Sequence, residues 1–462
     1  MKPVKIGLLP LYVKLYDECL SWMRPKVEKY HADVAEKLKS YGLDVMTSPI
    51  CRLEDEFRQA IESFEEGGAE VLVTLHLAYS PSLQSEKPLK ECRLPIVILD
   101  TTPDFEFRPE GSTEGIDYDH GIHGVQDMCN LLIRNGKKFR IFAGHYIESD
   151  VCRRVADCAR AYASANALSE ARVGIIGEPF AGMGDFRVPY DELKRDIGID
   201  VIPYPPAKIA EYAEKVTDSR ISDLKKADSE RFDNNGVSDE LYDEVTRVSL
   251  GVKDWYNGER LDSFTVNFLA AGKTTGLRHM PFDRACRAME EGVGYAGEGD
   301  VLTAALVGAL LRSWDDTTFV EMFCPNWHDG YVFLSHMGEY NLRIAGKRPR
   351  MIVRPFPFAD TGDPYAIMAP MRAGRAAIVN LAPLGNGKYA LTAINGEMLP
   401  VSDESKFTNV VNGWFRPDCG LPAMLEKYSG RGGTHHSAMV YGADASCFAP
   451  IAEKFGWSFA AI

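Results

Sequence analysis

The stretch KIGLLPLY (residues 5–12), read with RPKVEKYHADVAEKLKSYG (residues 24–42), decides the fold class. The first is a short apolar run of the length of a buried strand. In the second, Val27, Tyr30, Val34, Leu38 and Tyr41 recur at helical spacing, and Gly42 ends the segment. The alternation then repeats. DVMTSP (44–49) precedes LEDEFRQAIESFEEGG (53–68), and AEVLVTLH (69–76) reads as another buried strand. LPIVILDTT (94–102), HGVQDMCNLLIRNG (123–136) and KFRIFAGHY (138–146) continue as strand, helix and strand. Short apolar strands separated by amphipathic helices imply a parallel, doubly wound sheet. No GxGxxG follows the first strand, so a dinucleotide is not indicated.

A second α/β rhythm starts at ARVGIIGEPFAGMGDF (171–186), with a helix through YDELKRDIG (190–198) and a strand at DVIPY (200–204). The charged segment from Lys208 to about Asn257 reads as a helix with a solvated face. SFTVNFLAA (263–271) is a further buried strand. From about Ser313 the pattern shifts to β-rich pieces, among them TFVEMF, GYVFLSHM, RAAIVNLAPL and KYALTAINGEML. The expectation is two doubly wound, Rossmann-like α/β domains, 1–168 and 169–312, followed by a β-rich C-terminal barrel or sandwich domain, 313–462.

At 462 residues and 45% hydrophobic composition, the chain is long and apolar enough for sizeable cores. Its net charge of −14 would repel nucleic acid phosphates and anionic lipid, so neither is an expected partner. No window approaches a membrane span, and the start lacks a signal-peptide pattern. The ten cysteines are scattered without a CxxC pair. Reduced thiols and a cytoplasmic protein are expected.

Chemistry enters at four stretches. SGRGGTHHSAMVYG (429–442) places His435 and His436 after a glycine-rich turn; in a strand they would point to opposite faces. GYAGEGD (294–300) puts Glu298 between two glycines, where backbone can approach a ligand closely. Glu298 and Asp300 could instead merely favour a helix N-terminus. Glu321 lies in a strand and could face water from a sheet edge. His336 in FLSHM could be a hydrogen-bonded core histidine. Taken together, two carboxylates and two imidazoles suit a divalent ion such as Mn²⁺.

The order GYAGEGD, FVEMF, FLSHM and GGTHHS also resembles the L-arabinose isomerases and, more broadly, the L-arabinose/L-fucose isomerase superfamily. That resemblance implies metal ligation by Glu298, Glu321, His336 and His436, with Mn²⁺, Co²⁺ or Mg²⁺ as cofactor. It implies isomerisation of a free aldose to a ketose through a cis-enediol, Glu298 and Glu321 doubling as proton-transfer groups. An epimerase, an isomerase of a different or modified sugar, and a non-catalytic sugar-binding protein are the alternatives. It further implies a homo-trimer or homo-hexamer with shared active sites, a reading to which Trp22, Tyr79, Trp327 and Trp414 in loop-like stretches add a hint. His76, His120, His123 and Met183 follow strands, where doubly wound sheets bind ligands, and are the candidate substrate contacts. The chain departs from the family pattern where a Gln-His-Leu-Tyr stretch is replaced by PLYVKLYD and where MFCPNWHDG follows Glu321.

Overall fold

The computed structural model describes residues 3–111, 113, 115–272, 275 and 277–462. The chain divides into two compact units, one running to Ala163 and one from Ser164 to Ile462.

In the first unit, strands β1 (Val4–Leu11), β2 (Leu43–Thr47), β3 (Val71–His76), β4 (Ile96–Asp100) and β5 (Phe139–Ala143) form a parallel sheet in the order β2-β1-β3-β4-β5. Period-two alternation sends Ile6 and Leu8 to one face and Leu9 and Leu11 to the other, and both faces are buried. The helix Met23–Ser40 covers the first face with Val27, Tyr30, Val34 and Leu38. The helix Glu54–Glu66 covers the second with Phe57, Ile61 and Phe64. Strands buried on both faces need apolar residues throughout, which is why these runs read as continuous in the sequence.

The second unit contains β6 (Arg172–Ile176), β7 (Asp200–Tyr204), β8 (Asp233–Asn235), β9 (Ser263–Val266) and β10 (Gly294–Gly297). Four of them make a parallel sheet in the order β10-β9-β6-β7. They are followed by β11 (Thr317–Asn326), β12 (Tyr331–Ser335), β13 (Arg350–Val353), β14 (Tyr365–Met368), β15 (Gly374–Gly385), β16 (Lys388–Met398), β17 (Gly413–Pro417), β18 (His436–Tyr441) and β19 (Ser458–Ala461). Six strands run β15-β18-β11-β12-β17-β16, and a further antiparallel pairing of β15 with β16 closes them into a barrel. Closure leaves no free edge in the ring. The α/β sheets and the closed C-terminal barrel match the fold class expected from the sequence.

Between the second parallel sheet and the barrel lies the helix Val301–Leu311, VLTAALVGALL, which packs on β9 and β10 and on β11 and β18. It has no polar stripe because nearly every residue in it is buried. The charged segment is helical, as expected, but divided. Instead of one helix it forms three, Pro206–Glu214, Asp218–Arg231 and Asp239–Gly258, with β8 pairing parallel to the distant β13. The short strand arises from a long-range partner that local charge patterning does not encode. Among the described residues, no helix is long and apolar enough to cross a membrane.

Candidate metal centre

Four chain segments of the second unit bring Glu298, Glu321, His336 and His436 together. Glu298 follows β10 in the left-handed region, with φ 62°, and Gly299 has φ 85°. A non-glycine residue there costs on the order of 1 kcal/mol, so the turn must be held by its neighbours. Gly299 N–H donates to Thr265 Oγ1 at 3.0 Å, and Phe180 N–H donates to the Glu298 carbonyl at 3.0 Å. Asp300 then caps the helix Val301–Leu311, its Oδ1 accepting from Thr303 N–H at 2.9 Å.

Glu321 lies on β11, paired on both sides by β18 and β12, and its side chain is mostly buried, so it is not an edge residue facing water. It sits opposite His436 on β18 and opposite Ser335 on β12. Directly paired residues of antiparallel strands share a face, which places His436 Nε2 2.8 Å from Glu321 Oε1. β12 ends at Ser335, so strand alternation no longer dictates the direction of His336. Its Nε2 reaches the same Glu321 oxygen at 3.2 Å. Phe319, two residues before Glu321, stands edge-on to both imidazoles, with ring centroids 4.8 and 5.0 Å away.

His435 departs from the sequence expectation of a neighbour on the opposite face. β18 begins only at His436, so the alternation does not extend back to His435. Its ring lies 4.1 Å from that of His436, and its Nε2 is 3.7 Å from Glu298 Oε2.

Sequence reading did not find the groups behind these side chains. His436 donates from Nδ1 to Asp300 Oδ2 at 2.9 Å, and His336 from Nδ1 to Glu339 Oε2 at 2.6 Å. Both carboxylates are buried. A carboxylate on Nδ1 fixes the ring and turns Nε2 outward, the usual support for a metal-ligating histidine. Asp300 was legible only as a helix starter. Glu339 carried no signal beyond lying three residues after His336.

Two buried atoms of the cluster, His436 Nε2 and Glu298 Oε2, have no hydrogen-bond partner among the described residues. His436 Nε2 lies 2.8 Å from Glu321 Oε1. Carboxylate oxygens and imidazole nitrogens converging on one point are the donor types that suit a divalent cation. Glu298, Glu321, His435 and His436 can each offer one donor atom such that all four lie within 4.8 Å of one another.

The electrostatics follow from the packing. Burial pushes the Glu298 carboxyl up, but the His435 and His436 imidazoles and the His336 charge outweigh it and hold it at about 2. Burial likewise opposes ionisation of Glu321, and His336 and His436 overcome it, holding the carboxyl well below the carboxylate range. For His336, burial disfavours the cation, while Glu339 and Glu321 lift it to about 10. His436 is raised well above its ordinary value, Asp300, Glu298 and Glu321 overcoming the effect of burial.

A divalent ion must therefore displace imidazolium protons near neutrality, so affinity should rise with pH up to about 10, the value for His336. Calorimetric titration of Mn²⁺ in buffers of different ionisation enthalpy reads the protons released. Affinity flat from about pH 6 to 9 would show the rings to be neutral beforehand. In the metal-free protein the sign reverses. The His336 contribution to stability is full below about 6.5 and is lost as pH rises through about 10.

A second expectation concerns Gly297. A Cβ there would stand 2.8 Å from Cε1 and 3.1 Å from Nε2 of His336, a ring with no room to retreat between Glu339 and Phe319. Gly297→Ala should weaken metal binding by about tenfold or more and cost roughly 1–3 kcal/mol. Wild-type metal affinity in this variant would show that His336 is not locked as a ligand.

The candidate substrate residues are divided between the two units. His76, His120 and His123 belong to the first unit. His120 Nε2 lies 2.8 Å from Tyr16 Oη, and its ring centroid is 5.4 Å from that of His123. His76 is buried at the end of β3, and neither ring nitrogen has a partner. Met183 lies in the loop after β6, where its N–H donates to Phe180 O at 3.2 Å. That loop also brings Phe186 flat against His436, with centroids 5.1 Å apart and planes 11° apart.

Comparison with known proteins finds two family matches. Residues 191–313 match the L-arabinose isomerase central domain and residues 316–457 the L-arabinose isomerase C-terminal domain, together more than half the chain. The L-arabinose isomerase of Nocardioides sp. is 23% identical over 89% of this chain and 84% of its own length. That of Geobacillus kaustophilus is 25% identical over 89% and 84%. That of Leuconostoc mesenteroides is 29% identical over 50% of this chain and 48% of its own length. All four proposed ligands, and the carboxylates behind the two histidines, fall within the two matched regions.

Proposed function

This chain belongs to the L-arabinose isomerase family, and we propose that it is a divalent-metal-dependent aldose–ketose isomerase of a free sugar of the L-arabinose or L-fucose type. The observation that carries the reading is the convergence of two imidazole Nε2 atoms on Glu321, each ring braced at Nδ1 by a buried carboxylate. Glu298, Glu321, His336 and His436 would hold the ion, Mn²⁺ fitting the donor set as Co²⁺ and Mg²⁺ also do. When bound, it would supply Lewis-acid stabilisation to charge developing on the sugar oxygens at C1 and C2.

The chain's own residues would carry the protons. One of the ionised carboxylates, Glu298 or Glu321, takes the C2 proton of the aldose. The electron pair left behind forms the C1–C2 double bond of a cis-enediol as O1 gains a proton. Returning the proton to C1 while O2 loses its own gives the ketose. Phe186 and Phe319 against the imidazoles keep water from that side of the ligands.

The test is incubation of the Mn²⁺-loaded protein with a panel of aldoses and ketoses, followed by NMR. Interconversion of a C1/C2 pair supports the isomerase. Inversion at another carbon would make it an epimerase, and tight binding without change a sugar-binding protein.

The organisation into domains 1–168, 169–312 and 313–462, a cytoplasmic setting and assembly as a homo-trimer or homo-hexamer belong to the same proposal. Trp22 and Trp327 are exposed, at 40% and 65%, as interface residues of an isolated chain would be. Trp414 is less telling. It lies in β17, not a loop, and packs against Tyr331, Phe333 and Phe407. In this reading His76, His120, His123 and Met183 set substrate choice, the first three completing a neighbour's site. His123→Ala should then raise KM without loss of metal. Mixing it with Glu298→Gln subunits should restore turnover at the wild-type KM, which neither has alone. A fully active monomer would remove the shared site.

A further inference from the structure

Three imidazoles, not two, turn the same edge toward the glutamates. His336, His435 and His436 each donate from Nδ1 to a carboxylate, that of Glu339, Asp185 and Asp300, at 2.6, 2.7 and 2.9 Å. Each Nε2 then faces Glu321 or Glu298. The nearest approaches are 3.2 Å for His336, 3.7 Å for His435 and 2.8 Å for His436. Asp185 also accepts the backbone N–H of His435 at 2.9 Å through the same oxygen. Ring and backbone are thus fixed together. Glu298 Oε2, 3.7 Å from His435 Nε2, is buried without a hydrogen-bond partner among the described residues. The compact group of donors within 4.8 Å contains His435 and not His336.

We infer that His435, held by Asp185, is a fifth donor to the resting metal centre and gives up its place to a sugar oxygen when substrate binds. The inference rests on the divalent-metal reading above. An ion such as Mn²⁺ takes six ligands. Five protein donors would leave one position on such an ion, whereas a sugar binding through two oxygens would need two. One protein donor must leave, and burial selects which. The side chains of His436 and His336 are 0% and 5% exposed, while His435 is 38% exposed. Its brace, Asp185, is also solvent-exposed and follows Gly184 in a loop with two glycines, so ring and brace can shift together without opening the core.

The test is Co²⁺ titration of the metal-free, full-length protein, followed by its visible spectrum, for wild type, His435→Ala and Asp185→Asn. Xylitol, a polyol that cannot isomerise, is then added to each. His435→Ala is expected to bind Co²⁺ about 10–100-fold more weakly and with an altered spectrum. Asp185→Asn, nearly isosteric, should fall between that variant and wild type. Xylitol should move the wild-type spectrum toward that of His435→Ala and leave the variant's almost unchanged. Wild-type affinity and spectrum in His435→Ala would overturn the inference and leave the metal reading standing. A wild-type spectrum indifferent to bound xylitol would overturn the displacement. A wild-type protein that takes up no Co²⁺ would overturn the metal reading and the fifth donor with it.

Discussion

Glu321→Gln should lower kcat by roughly 10²–10⁴-fold at saturating Mn²⁺, the range expected for loss of a proton-transfer group. The exchange keeps shape and volume and removes only the charge. It acts where two Nε2 atoms converge, 2.8 and 3.2 Å from one carboxylate oxygen. An amide there can neither take a proton from C2 nor balance two imidazoles and a dication. Metal occupancy measured beside turnover separates the two losses. Deuterium exchange at C1 and C2, followed by NMR in heavy water, isolates the proton step. Exchange at the wild-type rate in a fully loaded Glu321→Gln protein would remove Glu321 from that step.

His436→Ala should leave the protein almost free of metal after dialysis, with affinity reduced by more than the ~10–100-fold typical of losing an outer-shell partner. The imidazole is fully buried, so no water-borne substitute can reach its place easily. The substitution also strands Asp300, whose Oδ2 loses its only ring partner in the site. A buried acceptor left unsatisfied costs roughly 1–3 kcal/mol. Elemental analysis and thermal unfolding read the two effects separately. Unchanged metal content would dismiss His436 as a ligand whatever happened to stability.

The parts of this structure that were legible in the sequence are those governed by local rules. Strands buried on both faces, such as β1 and β3, must be apolar along their length, and the helix Met23–Ser40 must carry its stripe. Glu298, Glu321, His336 and His436 are each weak signals alone; the order of their stretches and its resemblance to the L-arabinose isomerases single them out. What escaped depends on contacts far apart in the chain. The pairing of β8 with β13 spans more than a hundred residues. Glu339 acts through a ring whose direction is free only because β12 stops at Ser335. His435 was assigned to the wrong face because alternation was extended one residue beyond the strand. Asp185 meets it across 250 positions of sequence.

Asp300 has implications for redesign. One of its oxygens starts the helix Val301–Leu311 and the other orients His436. Tuning the basicity of that imidazole by changing its carboxylate partner, a common route to altered metal preference, would also uncap a helix that lies in the interior. Losing such a cap costs about 1 kcal/mol even in exposed helices. The two properties cannot be varied independently. Selection for a new ion would have to work through Glu339 or Asp185, whose oxygens bear on His336 and His435 and do not cap that helix.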